Sequence, residues 1–144
     1  MIDTNIIISL LTNSEKVDSA KAIFKLLNDE ELVITLNVLE EVVYVGFSAI
    51  YGCRGFKLRD KVRKGLNDEC EAFLDGLSSF MDVFHIKMIP PSYDPILFLN
   101  IIRSYRLLPA DAAIAASCKH HGIDKIATLD ADFKRVDFLK VIEA

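Results

Sequence analysis

Four stretches, spread from the first residues nearly to the last, place an acid beside an apolar element. They are Met1-Ile2-Asp3-Thr4-Asn5, Leu39-Glu40-Glu41-Val42, Pro109-Ala110-Asp111-Ala112-Ala113 and Thr128-Leu129-Asp130-Ala131-Asp132-Phe133. Carboxylates packed together away from water repel one another, and some take up protons. A hard divalent cation removes that conflict, and ligation by oxygen alone favours Mg2+ or Mn2+. Such an ion suits hydrolysis of a phosphodiester, because it activates water and stabilises charge on the phosphate. Each acid also has a plainer reading. Asp3 or the Asp130-Ala131-Asp132 pair can close a turn. Asp111, early in a helix, is favoured by the helix dipole alone. Glu40 and Glu41 can be helix surface.

The elements that must position these acids alternate. Ile2 reads as the end of a very short leading strand, or of a truncated one, that stops at Asp3. Helices are expected over Asn5–Leu11 and roughly 15–28, the second from Val17, Ala20, Ile23, Phe24 and Leu27 at helical spacing. Leu32-Val33-Ile34-Thr35 is a β-branched run and reads as a strand. Asn37 can cap a helix running to about Ile50, with Glu40 completing a variant capping box. That role for Glu40 leaves Glu41 as the better ligand, with Glu40 as its substitute. Helices follow at about 56–66 and 67–81. Val83-Phe84-His85-Ile86 reads as a third strand. Pro95 and Pro109 each open a further helix, the second ending before Gly122. Strands at 125–129 and 139–142 complete the pattern.

Strands alternating with helical crossovers imply a parallel sheet covered on both faces. In such sheets ligands bind beyond the carboxyl ends of the strands, at the switch in strand order. Asp3, Asp130 and the starts of the Glu41 and Asp111 helices all fall at that edge.

The 144 residues suit a single domain, the usual size being roughly 100–150 residues. No apolar run reaches the ~20 residues of a membrane span, and no signal peptide is recognisable, so a cytoplasmic location is expected. Cys53, Cys70 and Cys118 are odd in number and far apart, which argues against disulfides and structural zinc; buried thiols are expected. No acid or Cys stands at metal-ligand spacing beside His85, His120 or His121. Net charge is −4, but Arg54, Lys57, Arg59, Lys61, Arg63 and Lys64 gather in one segment against Asp60 alone. A segment of that kind can hold a polyanion. No aromatic platform for base stacking is read beside it, so no base preference follows.

The four acid-bearing stretches, in this order and at these separations, resemble the signatures of PIN-domain proteins. The resemblance carries Asp3-Thr4-Asn5, Thr35-Leu36-Asn37-Val38-Leu39-Glu40-Glu41-Val42, Leu108-Pro109-Ala110-Asp111-Ala112-Ala113-Ile114-Ala115-Ala116 and Thr128-Leu129-Asp130-Ala131-Asp132-Phe133. It implies an α/β/α sandwich with a parallel sheet of about five strands, and Mg2+- or Mn2+-dependent ribonuclease activity. Many small prokaryotic members are VapC-like toxins of toxin–antitoxin pairs, so RNA and an antitoxin protein are the implied partners. Separately, exposed apolar residues on so small a chain are expected to serve a homodimer interface or an antitoxin. Carried over by motif, Asp3, Glu41, Asp111 and Asp130 hold the metal, and Asp132 is a fifth catalytic acid. Thr4 or Asn5, with Thr128, orient those carboxylates. The basic segment is the candidate RNA contact. Two readings compete with the nuclease. One is a non-catalytic RNA-binding or scaffold protein of the same fold. The other is a metal-dependent phosphatase, which would need a second Asp where Asp3-Thr4-Asn5 has none.

Overall fold

The computed structural model describes residues 1–144, in an α/β arrangement. The elements run α1 (Thr4–Thr12), α2 (Val17–Lys25), β1 (Val33–Thr35), α3 (Leu36–Tyr51), α4 (Gly55–Arg63), α5 (Asp68–Val83), β2 (Lys87–Ile89), α6 (Pro95–Tyr105), α7 (Pro109–His120), β3 (Lys125–Ala127), a 3-10 turn over Ala131–Arg135 and β4 (Lys140–Ile142). β1 pairs with β2 and β3 with β4, both parallel. Ile2 joins the two pairs. Its N–H donates to the Val33 carbonyl at 2.9 Å, and it bridges in parallel to Ala127. The leading strand is thus a single bridged residue. It lies at the centre of the order β2–β1–Ile2–β3–β4.

That order sets the site. The chain moves outward from Ile2 through β1 to β2, then returns past Ile2 to β3 and β4. By the right-handed rule for crossovers between parallel strands, this order assigns α1–α5 and α6–α7 to opposite faces, the layout of a three-layer sandwich. The reversal beside Ile2 marks the place, at the carboxyl ends of the strands, where such sheets bind ligands. Asp3 follows Ile2 directly and so lies at that edge.

The core is one cluster of 25 buried residues, including Ile6, Ile34, Val38, Ile114, Ile126 and Phe133, with the Ala-rich face of α7 close against it. A second cluster of Phe47, Leu58 and Cys70 joins α3, α4 and α5. Cys70 and Cys118 are buried and Cys53 half-buried, all as free thiols. Burial pushes the Cys118 thiol up to about 11, so it is inert at neutral pH.

Three local expectations change. The third strand lies at 87–89 rather than 83–86, because α5 continues to Val83. Phe84 packs on Phe24 and Phe80, with ring centroids at 4.8 and 5.0 Å. His85, at φ 50, then turns the chain toward β2. Asn37 does not cap α3. Thr35 is the N-cap residue, and Glu40 forms no capping box. Asn37 lies inside the first turn, where its Oδ1 accepts the Thr35 hydroxyl.

Candidate active site

Asp3 is both the residue after Ile2 and the N-cap of α1. It is only 4% exposed, an unusual setting for a carboxylate. Both of its oxygens accept hydrogen bonds, and Oδ1 keeps a lone pair free. The Thr4 backbone N–H donates to Oδ1 at 2.7 Å. Asn5 Nδ2 and the Thr128 hydroxyl both donate to Oδ2, each at 2.6 Å. Three donors on a buried carboxylate favour its charged form, while burial opposes it. Burial wins: the Asp3 carboxyl is pushed up to about 6, with the charges of Glu41 and Asp130 adding to the rise.

Thr4 also reaches the second acid-bearing stretch. Its hydroxyl donates to Glu41 Oε2 at 2.8 Å, so α1 holds the Glu41 side chain of α3. Glu40 points elsewhere. It lines an apolar groove with Leu36, Leu39, Val43, Leu58 and Val62 between α3 and α4. This geometry distinguishes the two glutamates.

Asn5 fastens the fourth stretch. Its Oδ1 accepts the Leu129 N–H at 2.9 Å, and its Nδ2 lies 3.1 Å from the Thr128 hydroxyl oxygen. That oxygen accepts the Asp130 N–H at 2.9 Å. Asp130 caps the 3-10 turn by accepting the Asp132 N–H at 2.8 Å. Asp-Thr-Asn and Thr-Leu-Asp are therefore one hydrogen-bonded unit built from the two ends of the chain.

Asp111 lies in the first turn of α7, half-buried. Its carboxyl is raised to about 6, first by burial, then by the charges of Asp3, Asp130, Glu41 and Asp132 in that order. Five acids thus share one electrostatic field, and no base is among the influences on either raised acid. The donors are all oxygen and carry like charge, which fits a hard divalent cation. The side chains as placed do not gather three ligands around one point. The fit therefore rests on donor chemistry and charge, not on a closed coordination shell.

Asp132 stands apart. Its carboxylate faces Arg135, with Nη2 at 3.0 Å from Oδ2. The motif reading passed over Arg135; its only signal was the basic pair Lys134-Arg135, which follows Asp132 after Phe133. The basic residues of α4 and its flanks are all exposed, and none bonds to a clustered acid. Arg59 lies 4.7 Å over the Phe56 ring. Phe56 is itself 75% exposed, so this segment does present an aromatic face, contrary to the sequence reading.

A family model described as "PIN domain" matches residues 1–139. Ribonuclease VapC2 of Methanocaldococcus jannaschii is 35% identical over 144 residues, covering 98% of this chain and 91% of that protein. Ribonuclease VapC6 of the same organism is 29% identical over 147 aligned positions, covering 99% and 95%. Among solved structures, a chain of VapBC2 from Rickettsia felis, bound to a DNA fragment from their promoter, superposes with a TM-score of 0.64 at 19% identity. That match covers 98% of this chain and 95% of the other.

Proposed function

The chain belongs to the PIN-domain family, and on that premise we propose that it is a divalent-metal-dependent endoribonuclease, the toxin of a toxin–antitoxin pair. The reading is carried by the meeting of Asp3, Glu41, Asp111 and Asp130 in one electrostatic field at the carboxyl edge of the sheet. The names of its VapC relatives, both ribonucleases, support the substrate class.

Asp3, Glu41, Asp111 and Asp130 would hold Mg2+ or Mn2+, which when bound polarises the phosphate and makes water a better nucleophile. The chain's own contribution is placement. Thr4 ties Asp3 to Glu41, and Asn5 and Thr128 tie Asp3 to the turn that carries Asp130, so three of the four acids are oriented by neighbouring side chains. Hydrolysis adds water across a P–O bond, its oxygen going to phosphorus and a proton to the departing ribose oxygen.

The RNA strand would also meet the exposed cations Arg54, Lys57, Arg59, Lys61, Arg63 and Lys64. The antitoxin is inferred from the VapBC2 neighbour. A second copy of the chain is inferred from large apolar residues left at the surface, Tyr93, Ile96 and Leu108 among them. No helix is long and apolar enough to cross a membrane.

The deciding experiment incubates purified protein with RNA in Mg2+, Mn2+ or chelator. Divalent-dependent cleavage, lost in Asp111→Asn, is the expected result. Intact RNA together with no Mn2+ binding sinks the proposal. The loose spacing of the acids also suits a non-catalytic RNA-binding protein; RNA binding without any divalent requirement, and without cleavage, would select that reading. A small DNA-binding protein encoded by the neighbouring gene would support toxin status, and a stable monomer by light scattering would count against the dimer.

A further inference from the structure

Arg135 is held from two sides. Its Nη2 lies 3.0 Å from Asp132 Oδ2, and the same nitrogen donates to the Arg106 carbonyl at 3.3 Å. Arg106 ends α6 in the left-handed conformation, φ 55, and Leu107-Leu108 lead from it directly into α7 and Asp111. The guanidinium therefore spans the turn carrying Asp130 and Asp132 and the turn leading to Asp111. A second tie runs beside it, where the Tyr105 hydroxyl donates to Asp137 Oδ1 at 2.5 Å.

A guanidinium offers five N–H donors in a rigid planar fork. Here Nη2 makes both protein contacts, while Nε and Nη1 make none. The side chain is 45% exposed, and the donors on Nε and Nη1 have no protein partner. Asp132 is among the charges acting on Asp111, which puts Arg135 at the rim of the acid cluster. An exposed ion pair adds little to stability. What this pair does is restrict a long, flexible side chain to one direction, and an oriented guanidinium matches two oxygens of a phosphate.

We propose that Arg135 is the arginine that grips the RNA phosphate beside the acid cluster, and that Asp132 acts by holding Arg135 instead of ligating metal. The proposal rests on RNA being the substrate. It moves the nearest phosphate contact from α4 to the rim formed by the 3-10 turn and the α6–α7 turn.

The test measures binding of a fluorescent single-stranded RNA by Asp3→Asn protein, with Asp111→Asn as the background should Asp3→Asn fail to fold. Adding Arg135→Ala is expected to weaken binding roughly tenfold. It should also lower the slope of log affinity against log salt by about 0.7, the loss of one single-strand phosphate contact. Arg135→Lys should restore the slope but not all of the affinity. Asp132→Asn should give part of the loss, and the pair with Arg135→Ala should bind no worse than Arg135→Ala alone. Calorimetric Mn2+ binding should be the same for Asp132→Asn as for the wild type. Unchanged affinity and slope in Arg135→Ala overturns the proposal, as does a tenfold loss of Mn2+ affinity in Asp132→Asn. If the wild type never cuts RNA but its RNA binding depends on Arg135, the nuclease reading falls and this one stands. If RNA is cut and Arg135→Ala binds it normally, the reverse holds.

Discussion

The Thr128 hydroxyl donates to Asp3 Oδ2 at 2.6 Å across 125 residues of sequence. The same oxygen accepts the Asp130 N–H and is reached by Asn5 Nδ2. One side-chain atom thereby joins both ends of the chain. Thr128→Val keeps the shape and removes every one of these bonds, leaving the part-buried Asp130 N–H without its acceptor, a cost of about 1–3 kcal/mol. Denaturant unfolding measures that loss. The substitution also removes a bond that lowers the Asp3 pKa, so the carboxyl rises beyond about 6. The acid limb of the pH–activity profile is then expected at higher pH than in the wild type. A limb that stays in place would show that ionisation of Asp3 does not limit the reaction.

The raised acids make a second prediction, about stability. On folding, the Asp3 carboxyl goes from 3.8 to about 6, so the folded chain holds this proton more tightly than the unfolded one. The stabilisation is fully present below the unfolded value and is lost as pH rises through about 6. At two units its size is about 3 kcal/mol. Asp111 moves in the same direction, but its exposure to water reduces its share. The metal-free chain should therefore melt at a higher temperature at pH 5 than at pH 7.5. A divalent ion binds the ionised acids and should reverse the order. Thermal melts with Mn2+ and with chelator check this. A Mn2+ effect equal at both pH values, or undiminished in Asp111→Asn, would contradict it.

The neighbouring glutamates should separate cleanly. Glu41 accepts the Thr4 hydroxyl, whereas Glu40 lines the groove toward α4. Glu41→Gln keeps a hydrogen-bonding side chain but loses the charge, and RNA cleavage should fall by roughly a hundredfold or more, a loss of about 3 kcal/mol in barrier terms. Glu40→Gln should cleave at close to the wild-type rate. The opposite ranking would place the metal on the other side of α3.

Most of this site was legible because its parts are short and local. Asp3-Thr4-Asn5 and Thr128-Leu129-Asp130 stand directly after strand-like residues, and helical periodicity placed Glu41 and Asp111 near helix starts. What escaped depended on contacts remote in sequence. The run Val83-Phe84-His85-Ile86 has the composition of a strand, and a short apolar run cannot be told from a buried helix end by periodicity; the packing of Phe84 on Phe24 decides the matter. Asn37 has the chemistry of an N-cap, yet Thr35 takes the position because β1 ends there and the helix must start at once. Asp132 reads in the motif as a fifth acid, and nothing in the motif shows that Arg135 lies 3.0 Å from it. Nor does any local pattern announce that the Arg106 carbonyl receives the same guanidinium.

Gly46 of α3 faces the Phe73 ring of α5. A Cβ added there would lie 2.3 Å from Phe73 Cζ and within 2.9 Å of two further ring atoms. The Phe73 ring packs against Phe47, centroids 6.4 Å apart, so it cannot retreat without disturbing the small cluster that anchors α4. In an exposed helix interior Gly→Ala would gain up to about 1 kcal/mol from propensity. Here overpacking costs about 1–3 kcal/mol and outweighs that gain. Gly46→Ala is therefore expected to lower stability, seen as a reduced midpoint of urea unfolding. Combining it with Phe73→Leu, which clears the ring from the contact, should restore part of the loss, so the two substitutions together should cost less than the sum of each alone. Simple additivity would mean that α3 and α5 do not meet at this pair.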